Sequence, residues 1–313
     1  MRLVFLGSPA FAVPTLEKLV ESGARVLEVV TQPDRPRGRG QQAGAPPVKE
    51  AALRLGLPVY QPERVRRPEA VERLRGLAPD AMVVVGYGQI IPQSAIDIPR
   101  FGIINVHASL LPKYRGAAPM QWAIANGETR TGVATMRIDA GLDTGDVLLT
   151  AETAIGPAET AIELGARLAL LGADLLIRTL EGLEAGSLAG RKQDPAEATY
   201  APLLKKEDGR ISWDLLAAAI HNRVRGFQPW PGAYTAFRGQ TLRIWKSRPA
   251  AASCLAGQAA GRLASLAPLV VGCGAGALEL IEVQLEGRRR MSAADFANGH
   301  RLTENDVLGE PRT

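Results

Sequence analysis

The sequence predicts an α/β protein: a doubly wound sheet over residues 1–189, a linker over 190–206, and a small β-barrel over 207–313. Three observations predict it. Up to residue 189, near-continuous Val/Ile/Leu runs alternate with amphipathic helical stretches, the pattern of a parallel sheet covered by helices on both faces. The stretch 190–206 is polar and carries Pro195 and Pro202, as a linker does. Beyond Pro231 and Gly232, short apolar runs follow one another at close spacing with glycine turns, as in a small barrel of the oligonucleotide-binding kind. At 313 residues the chain is long enough for two domains.

Taken in order, RLVFLG (2–7) reads as a buried strand and FAVPTLEKLVES (11–22) as a helix stopped by Gly23. ARVLEVVT (24–31) is a second strand and VKEAALRLG (48–56) a second helix. VERLRGLA (71–78), AMVVVGYG (81–88) and FGIINVHA (101–108) continue as helix, strand and strand. The apolar periodicity of 159–183 predicts a long helix that ends this part. ISWDLLAAAIHNRVRGF (211–227) is one more helix, followed by five strands at 233–239, 241–247, 258–267, 268–274 and 277–287.

Composition excludes several classes. Hydrophobic residues at 46% and charged residues at 22% are ordinary for a globular chain and rule out a disordered or fibrous one. Two cysteines, Cys254 and Cys273, with no CxxC spacing, argue against a disulfide framework or a structural zinc site and suit a reducing cytoplasm. The apolar run at the start is broken by Gly7 and Pro9, too short for a secretory signal, and no run of about 18 apolar residues is present to span a membrane. Residues 1–189 hold 20 basic and 20 acidic side chains, 190–206 four and two, and 207–313 thirteen and ten. The net charge of +5 therefore arises in the linker and the last third, and 30 of the 37 basic residues are Arg, the better side chain for bidentate phosphate contacts. This supports a nucleic-acid partner without establishing one.

A dinucleotide site is disfavoured. GSPAFA after the first strand lacks GxGxxG, and Pro9 removes a backbone donor where a pyrophosphate needs one. GxGxxA occurs at 38–43 and 272–277, in a polar loop and inside the expected barrel, where neither opens a helix.

Two stretches carry candidate chemistry. The strand in GIINVHASLLPKYRGAAPMQWAI (102–124) ends in Asn105, Val106 and His107, so Asn105 and His107 share a face at the carboxyl end of a sheet, where ligands bind. In MRIDAGLDTGDVL (136–148), Asp139, Asp143 and Asp146 are spaced by Gly141 and Gly145, a loop from which a carboxylate can reach a histidine on a neighbouring strand. Other readings stay open on spacing alone. A calcium loop would need alternate acidic positions that are missing here. Zinc would find only His107 in this half, since His221 and His300 lie in the other. Ser109 sits in no GxSxG elbow.

At these residues the sequence resembles the folate-dependent formyltransferases. The resemblance rests on N-x-H-x-S-L-L-P, then Y-R-G-A-A-P, then D-x-G-x-D-T-G-D, in that order. TQPDRPRGRGQ (31–41), GYGQIIP (86–92), FQPWPGAY (227–234) and the whole last third are similar to the branch that acts on charged initiator tRNA. The resemblance implies a Rossmann-like first domain joined to an OB-like, tRNA-binding barrel. It implies that Asn105, His107 and Asp143 form the catalytic set, that Ser109, Leu110, Leu111 and Pro112 line the site for 10-formyltetrahydrofolate, and that the backbone around Gln89, Ile90 and Ile91 edges its pterin ring. No metal is expected. The partner implied is initiator methionyl-tRNA, with neither a membrane nor an obligate protein partner indicated.

Formyl transfer to an amine needs no protein nucleophile, because the amine attacks directly. A free α-amine titrates near 7.7–8.0, so base assistance is a small demand beside stabilising the oxyanion. Asn105 and His107 are the expected donors to it, each worth about 2.7–4 kcal/mol, and Asp143 is expected to fix the imidazole tautomer or take the amine's proton. Asp139 and Asp146 read as turn formers. Arg35, Arg37, Arg39 and Lys49, in a Gly/Pro-rich loop expected to lack regular structure, are candidate tRNA contacts. Arg191, Lys192, Lys205 and Lys206 in the linker, with Arg288, Arg289 and Arg290 on the barrel, are expected to follow the phosphate backbone.

Overall fold

Leu3, Val4, Phe5 and Leu6 are fully buried, so the strand Arg2–Gly7 sits inside its sheet, as a continuous apolar run requires. The strands Arg25–Val30 and Ala81–Val85 flank it in parallel. Val59–Tyr60 extends the sheet beyond the first and Ile103–His107 beyond the second, again in parallel. Chain order thus reverses on either side of the opening strand, which makes the sheet doubly wound and puts its ligand-binding crevice at the strands' carboxyl ends. The computed structural model describes residues 1–37, 42–250 and 259–309. It divides into one unit of Met1–Gly116, Thr131–Thr153 and Gly165–Ala201, and a second of Ala117–Arg130, Ala154–Leu164 and Pro202 onward.

Three strands of the first unit's sheet are absent from the sequence expectation: the short Val59–Tyr60 and two on the other side. Arg130–Arg137 runs antiparallel to Ile103–His107, and Val147–Ala154 lies outside it. After Val147 and Leu148 the last of these alternates half-buried and exposed residues, a weaker signal than the buried runs. Helices Val13–Glu21, Pro47–Arg54 and Pro68–Leu77 each carry proline in the first turn, where its missing N–H costs nothing. The long helix Ala161–Glu184 approaches the sheet closely at Gly172, where a β-carbon would stand 2.7 Å from Val106 Cγ1. That contact seats the helix on the strand that carries His107.

The linker is more ordered than its composition suggests. Arg191 exchanges backbone hydrogen bonds of 2.8 and 2.9 Å with Val147, and Tyr200–Ala201 pairs in parallel with Arg115–Gly116. The described residues of 33–49 also depart from the expected irregularity. Arg35–Arg37 pairs antiparallel with Gln42–Gly44, and Asp34 at the base accepts hydrogen bonds from Gln61 at 2.7 Å and Lys49 at 2.6 Å.

In the second unit the strands Ala233–Phe237, Gln240–Pro249, Ala277–Leu285, Leu269–Gly272 and Leu263–Leu266 pair in that order, all antiparallel, and Met291–Ser292 pairs with Ala277–Leu285. Register shifts in the Gln240–Pro249 strand are bulges, which bend a sheet. Phe237 and Phe296 meet edge to face at 5.1 Å inside this unit's core. The helix here begins only at Ala217, since Ile211 donates its N–H to Tyr234 at 2.8 Å and Trp213 Nε1 donates to Thr235 at 3.0 Å. Those bonds tie 211 and 213 to the sheet, and a turn closed by the Leu215 N–H on the Ser212 carbonyl at 3.3 Å precedes the helix. A helix at Pro119–Ala125, unforeseen in sequence, packs on it, and Gly226 allows the approach: a β-carbon there would stand 2.9 Å from the Gln121 carbonyl.

Candidate active site

Asn105 and His107 are carried two residues apart at the end of the Ile103–His107 strand, as period-two alternation demands. Asn105 is half-buried and His107 is buried. The imidazole's two nitrogens are distinguished by their neighbours. Nε2 lies 3.0 Å from the Tyr114 carbonyl, an acceptor only, so Nε2 carries a proton and donates it. Nδ1 lies 3.6 Å from Asp143 Oδ2. The tautomer is therefore set by Tyr114 rather than by Asp143, and the nitrogen that faces the carboxylate is the one free to gain or lose a proton.

Both supporting residues sit in left-handed backbone, Tyr114 at φ 60° and Asp143 at φ 51°, a region that a bulky aromatic seldom enters. Such strain persists only where the surroundings over-determine it. Tyr114 is fixed by its own N–H, which donates to Thr199 Oγ1 at 2.9 Å. Asp143 Oδ2 accepts the Gly116 N–H at 2.8 Å. The segment Tyr114–Gly116 thus holds the imidazole through a carbonyl and the carboxylate through an amide. Gly116, at φ 116°, has no room for a side chain: a β-carbon would stand 2.7 Å from the Ala201 carbonyl.

The turn that carries Asp143 is braced separately. Asp139 Oδ1 accepts from Gly141 N–H at 3.0 Å and Thr144 Oγ1 at 2.6 Å, the geometry of a turn former. A β-carbon at Gly145 would run into the Arg137 carbonyl. Gln193 Nε2 donates to the carbonyls of Asp143 at 2.9 Å and Gly145 at 2.7 Å, and its Oε1 accepts from buried Arg115. Sequence reasoning assigned no role to Tyr114, Arg115, Gly116 or Gln193. The first three lie inside the Y-R-G-A-A-P block, which was their only signal.

Ser109 is fully buried and its Oγ donates to the Lys113 carbonyl at 2.6 Å, so it closes a turn and offers no free hydroxyl. Leu110, Leu111 and Pro112 line an open cavity of about 330 Å³, with Val147 and the 191–194 segment. The Gln89 side chain is engaged: Oε1 accepts the Val65 N–H at 2.7 Å, and Nε2 faces the Gln32 side-chain oxygen and the carbonyls of Pro62 and Glu63. Ile90 is 81% exposed and Ile91 half-buried. Nearby, burial pushes the Tyr87 hydroxyl above its usual range.

Of the basic candidates, Lys49 is paired with Asp34, whose carboxyl the Gln61 amide and Lys49 together hold below the usual carboxylate range. Arg35 is exposed, the backbone of Arg37 lies in the short hairpin, and Arg39 lies outside the described residues. Arg191, Lys192, Lys205 and Lys206 are exposed. Arg290 stacks 4.0 Å over Trp245 and pairs with Glu282; Arg288 and Arg289 are exposed beside it in sequence. Among the described residues no group of three or more His, Cys, Asp or Glu is placed to hold a metal ion, and no helix is long and apolar enough to cross a membrane.

Residues 1–180 match the formyl transferase family model, and residues 203–301 match the formyl transferase C-terminal domain. The methionyl-tRNA formyltransferase of Solibacter usitatus is 70% identical over 310 residues, 99% of each chain. That of Koribacter versatilis is 57% identical over 311 residues, again 99% of each. Among solved structures, a sugar 3N-formyl transferase in the presence of dTDP and 5-N-formyl-THF has a TM-score of 0.67 at 18% identity, covering 92% of this chain and 99% of its own. Methionyl-tRNA formyltransferase from Clostridium thermocellum has a TM-score of 0.55 at 17% identity, over 79% and 93%. At such identities these structures bear on the fold alone.

Proposed function

Because the chain belongs to the formyl transferase family, we propose that it transfers a formyl group from 10-formyltetrahydrofolate to the free amine of methionyl initiator tRNA, giving N-formylmethionyl-tRNA. The observation that carries this reading is the His107 imidazole held 3.6 Å from the Asp143 carboxylate, in a chain 70% identical over its length to a methionyl-tRNA formyltransferase. Residues 1–189 carry the chemistry in this reading, and 190–313 supply linker and barrel contacts to RNA.

The residues assigned to the folate suit such a molecule. Exposed Ile90 and the cavity-lining Leu110, Leu111 and Pro112 offer apolar surface to a flat ring. The Gln89 side chain is already bonded, so polar recognition falls to the backbone of 89–91. When bound, the folate supplies a formyl group on a nitrogen, already activated for acyl transfer.

The remaining work falls to three side chains. The Asn105 amide donates an N–H toward the formyl oxygen as it turns negative. His107 has Nε2 committed to Tyr114, so it acts through Nδ1, taking the amine's proton or donating from the protonated ring. Asp143 stabilises the positive imidazole while it exists. Preorganised groups of this kind speed the reaction because their dipoles need not reorient as charge develops. Exposed Arg35, with Arg37 and Arg39, is assigned to the RNA's acceptor end, and Arg191, Lys192, Lys205 and Lys206 to its phosphates; Lys49 contributes less because it is paired.

A substrate panel tests the reading. With 10-formyltetrahydrofolate as donor, charged initiator tRNA should be formylated while glycinamide ribotide and an amino sugar nucleotide are not. Preference for either small molecule would overturn the proposal.

A further inference from the structure

Gln193 lies in a polar stretch beside the exposed cations Arg191 and Lys192, and its amide is fully used. Nε2 donates to Asp143 O at 2.9 Å and to Gly145 O at 2.7 Å. Oε1 accepts from Arg115 Nε at 3.1 Å and Nη2 at 2.8 Å. A guanidinium only donates and a carbonyl only accepts, so one orientation of the amide satisfies all four bonds and the flipped one satisfies none. Arg115 is 4% exposed, so the anchor is itself fixed. Two residues back, Arg191 is tied to Val147 by a pair of backbone bonds, so the backbone on which Gln193 rides is held as well.

We propose that Gln193 is a positioning residue for formyl transfer, fixing the Asp143 turn through two hydrogen bonds that only the donor half of its amide can make. This rests on the reading of Asp143 as catalytic. Asp143 is gripped from two sides: Gly116 holds its carboxylate and Gln193 holds its backbone. Its φ of 51° is left-handed, a region that costs a non-glycine residue energy even though aspartate tolerates it better than most. Without the amide donors the turn loses one of these holds, and the carboxylate no longer meets Nδ1 in one arrangement. A misplacement of about 1 Å in such a group costs on the order of 100-fold in rate.

Two variants test this beside Asp143→Asn. Gln193→Glu keeps the size and gives Arg115 a carboxylate, but it turns an oxygen, in place of two N–H donors, on the carbonyls of Asp143 and Gly145. Gln193→Met keeps the length and removes every polar contact. Both should lose about 100-fold in kcat, with the KM for 10-formyltetrahydrofolate and for methionyl-tRNA moving no more than about twofold, the signature of an interaction used in the transition state. Circular dichroism should show the wild-type fold in at least the Glu variant. Wild-type kcat in both variants, or a raised KM with kcat unchanged, would overturn the positioning role, and so would unfolding of both, which would make Gln193 a structural support. Wild-type activity in Asp143→Asn would instead remove the catalytic reading on which the proposal rests.

Discussion

Replacing Asp143 with Asn removes one charge and little else. The carboxamide oxygen can still accept the Gly116 N–H, which lies 2.8 Å from Oδ2, so the turn should survive. What disappears is the attraction between the carboxylate and a protonated His107 across 3.6 Å. The two side chains are 7% and 18% exposed, so water screens the pair weakly. At an effective dielectric constant of about 20, unit charges at that separation attract by about 4 to 5 kcal/mol. The attraction counts toward catalysis only where the ring is charged in the transition state, and about 1.4 kcal/mol corresponds to a tenfold change in rate. The expected loss in kcat is on the order of a thousandfold, with the KM for both substrates little changed. The assay is formylation of methionyl-tRNA under saturation in both substrates, with circular dichroism to check the fold. A folded variant with kcat within about tenfold of wild type would refute this charge reasoning.

His107→Ala removes the group that faces the carboxylate and should lower kcat by at least about 100-fold; a smaller loss in steady-state assays would move the proton-handling role elsewhere. Gly116→Ala places a β-carbon 2.7 Å from the Ala201 carbonyl at a φ of 116°, so it should cost on the order of 1–3 kcal/mol of stability and lower kcat, read by thermal unfolding and assay. Changing Arg37 and Arg39 together to Ala should raise the KM for methionyl-tRNA, leave folate binding intact and flatten the salt dependence by about 0.9 log units per lost phosphate contact; an unchanged RNA KM with weakened folate binding would contradict the assignment. His221 is half-buried, and desolvation holds its imidazole below its ordinary value of 6.5. The folded state therefore binds fewer protons than the unfolded one, so the stability involved is present above pH 6.5 and lost as pH falls through the lowered value. Thermal midpoints between pH 7 and 5 should fall more steeply in wild type than in His221→Gln, and parallel curves would contradict this.

The parts of the fold legible in the sequence are those buried on both faces. Leu3–Leu6 and Ala81–Val85 are continuous apolar runs with every residue buried, as strands covered on both faces require. Val147–Ala154 escaped because it alternates half-buried with exposed residues and its Thr and Glu side chains dilute the pattern. The sequence puts the onset of the second unit's helix too early, since Ile211 and Trp213 are apolar for a different reason: they pack into a core from the segment and turn that precede the helix. At the site, Asn105 and His107 were legible from alternation at a strand end, and Asp143 through its motif. Tyr114 and Gln193 were not, because Tyr114 acts through a backbone carbonyl and Gln193 through an amide brought from a distant polar stretch. Neither kind of work leaves a periodic or charge signal. Charge alone also overstated Lys49, whose partner Asp34 is set by folding.

The most direct test follows the formyl carbon itself. Purified protein is mixed with 10-formyltetrahydrofolate labelled in that carbon and with methionyl initiator tRNA, and the aminoacyl ester is then hydrolysed. Label should appear in N-formylmethionine with the wild-type chain and be nearly absent with Asp143→Asn. Methionine released without label by the wild-type chain, or labelled equally by both, would contradict the proposed function.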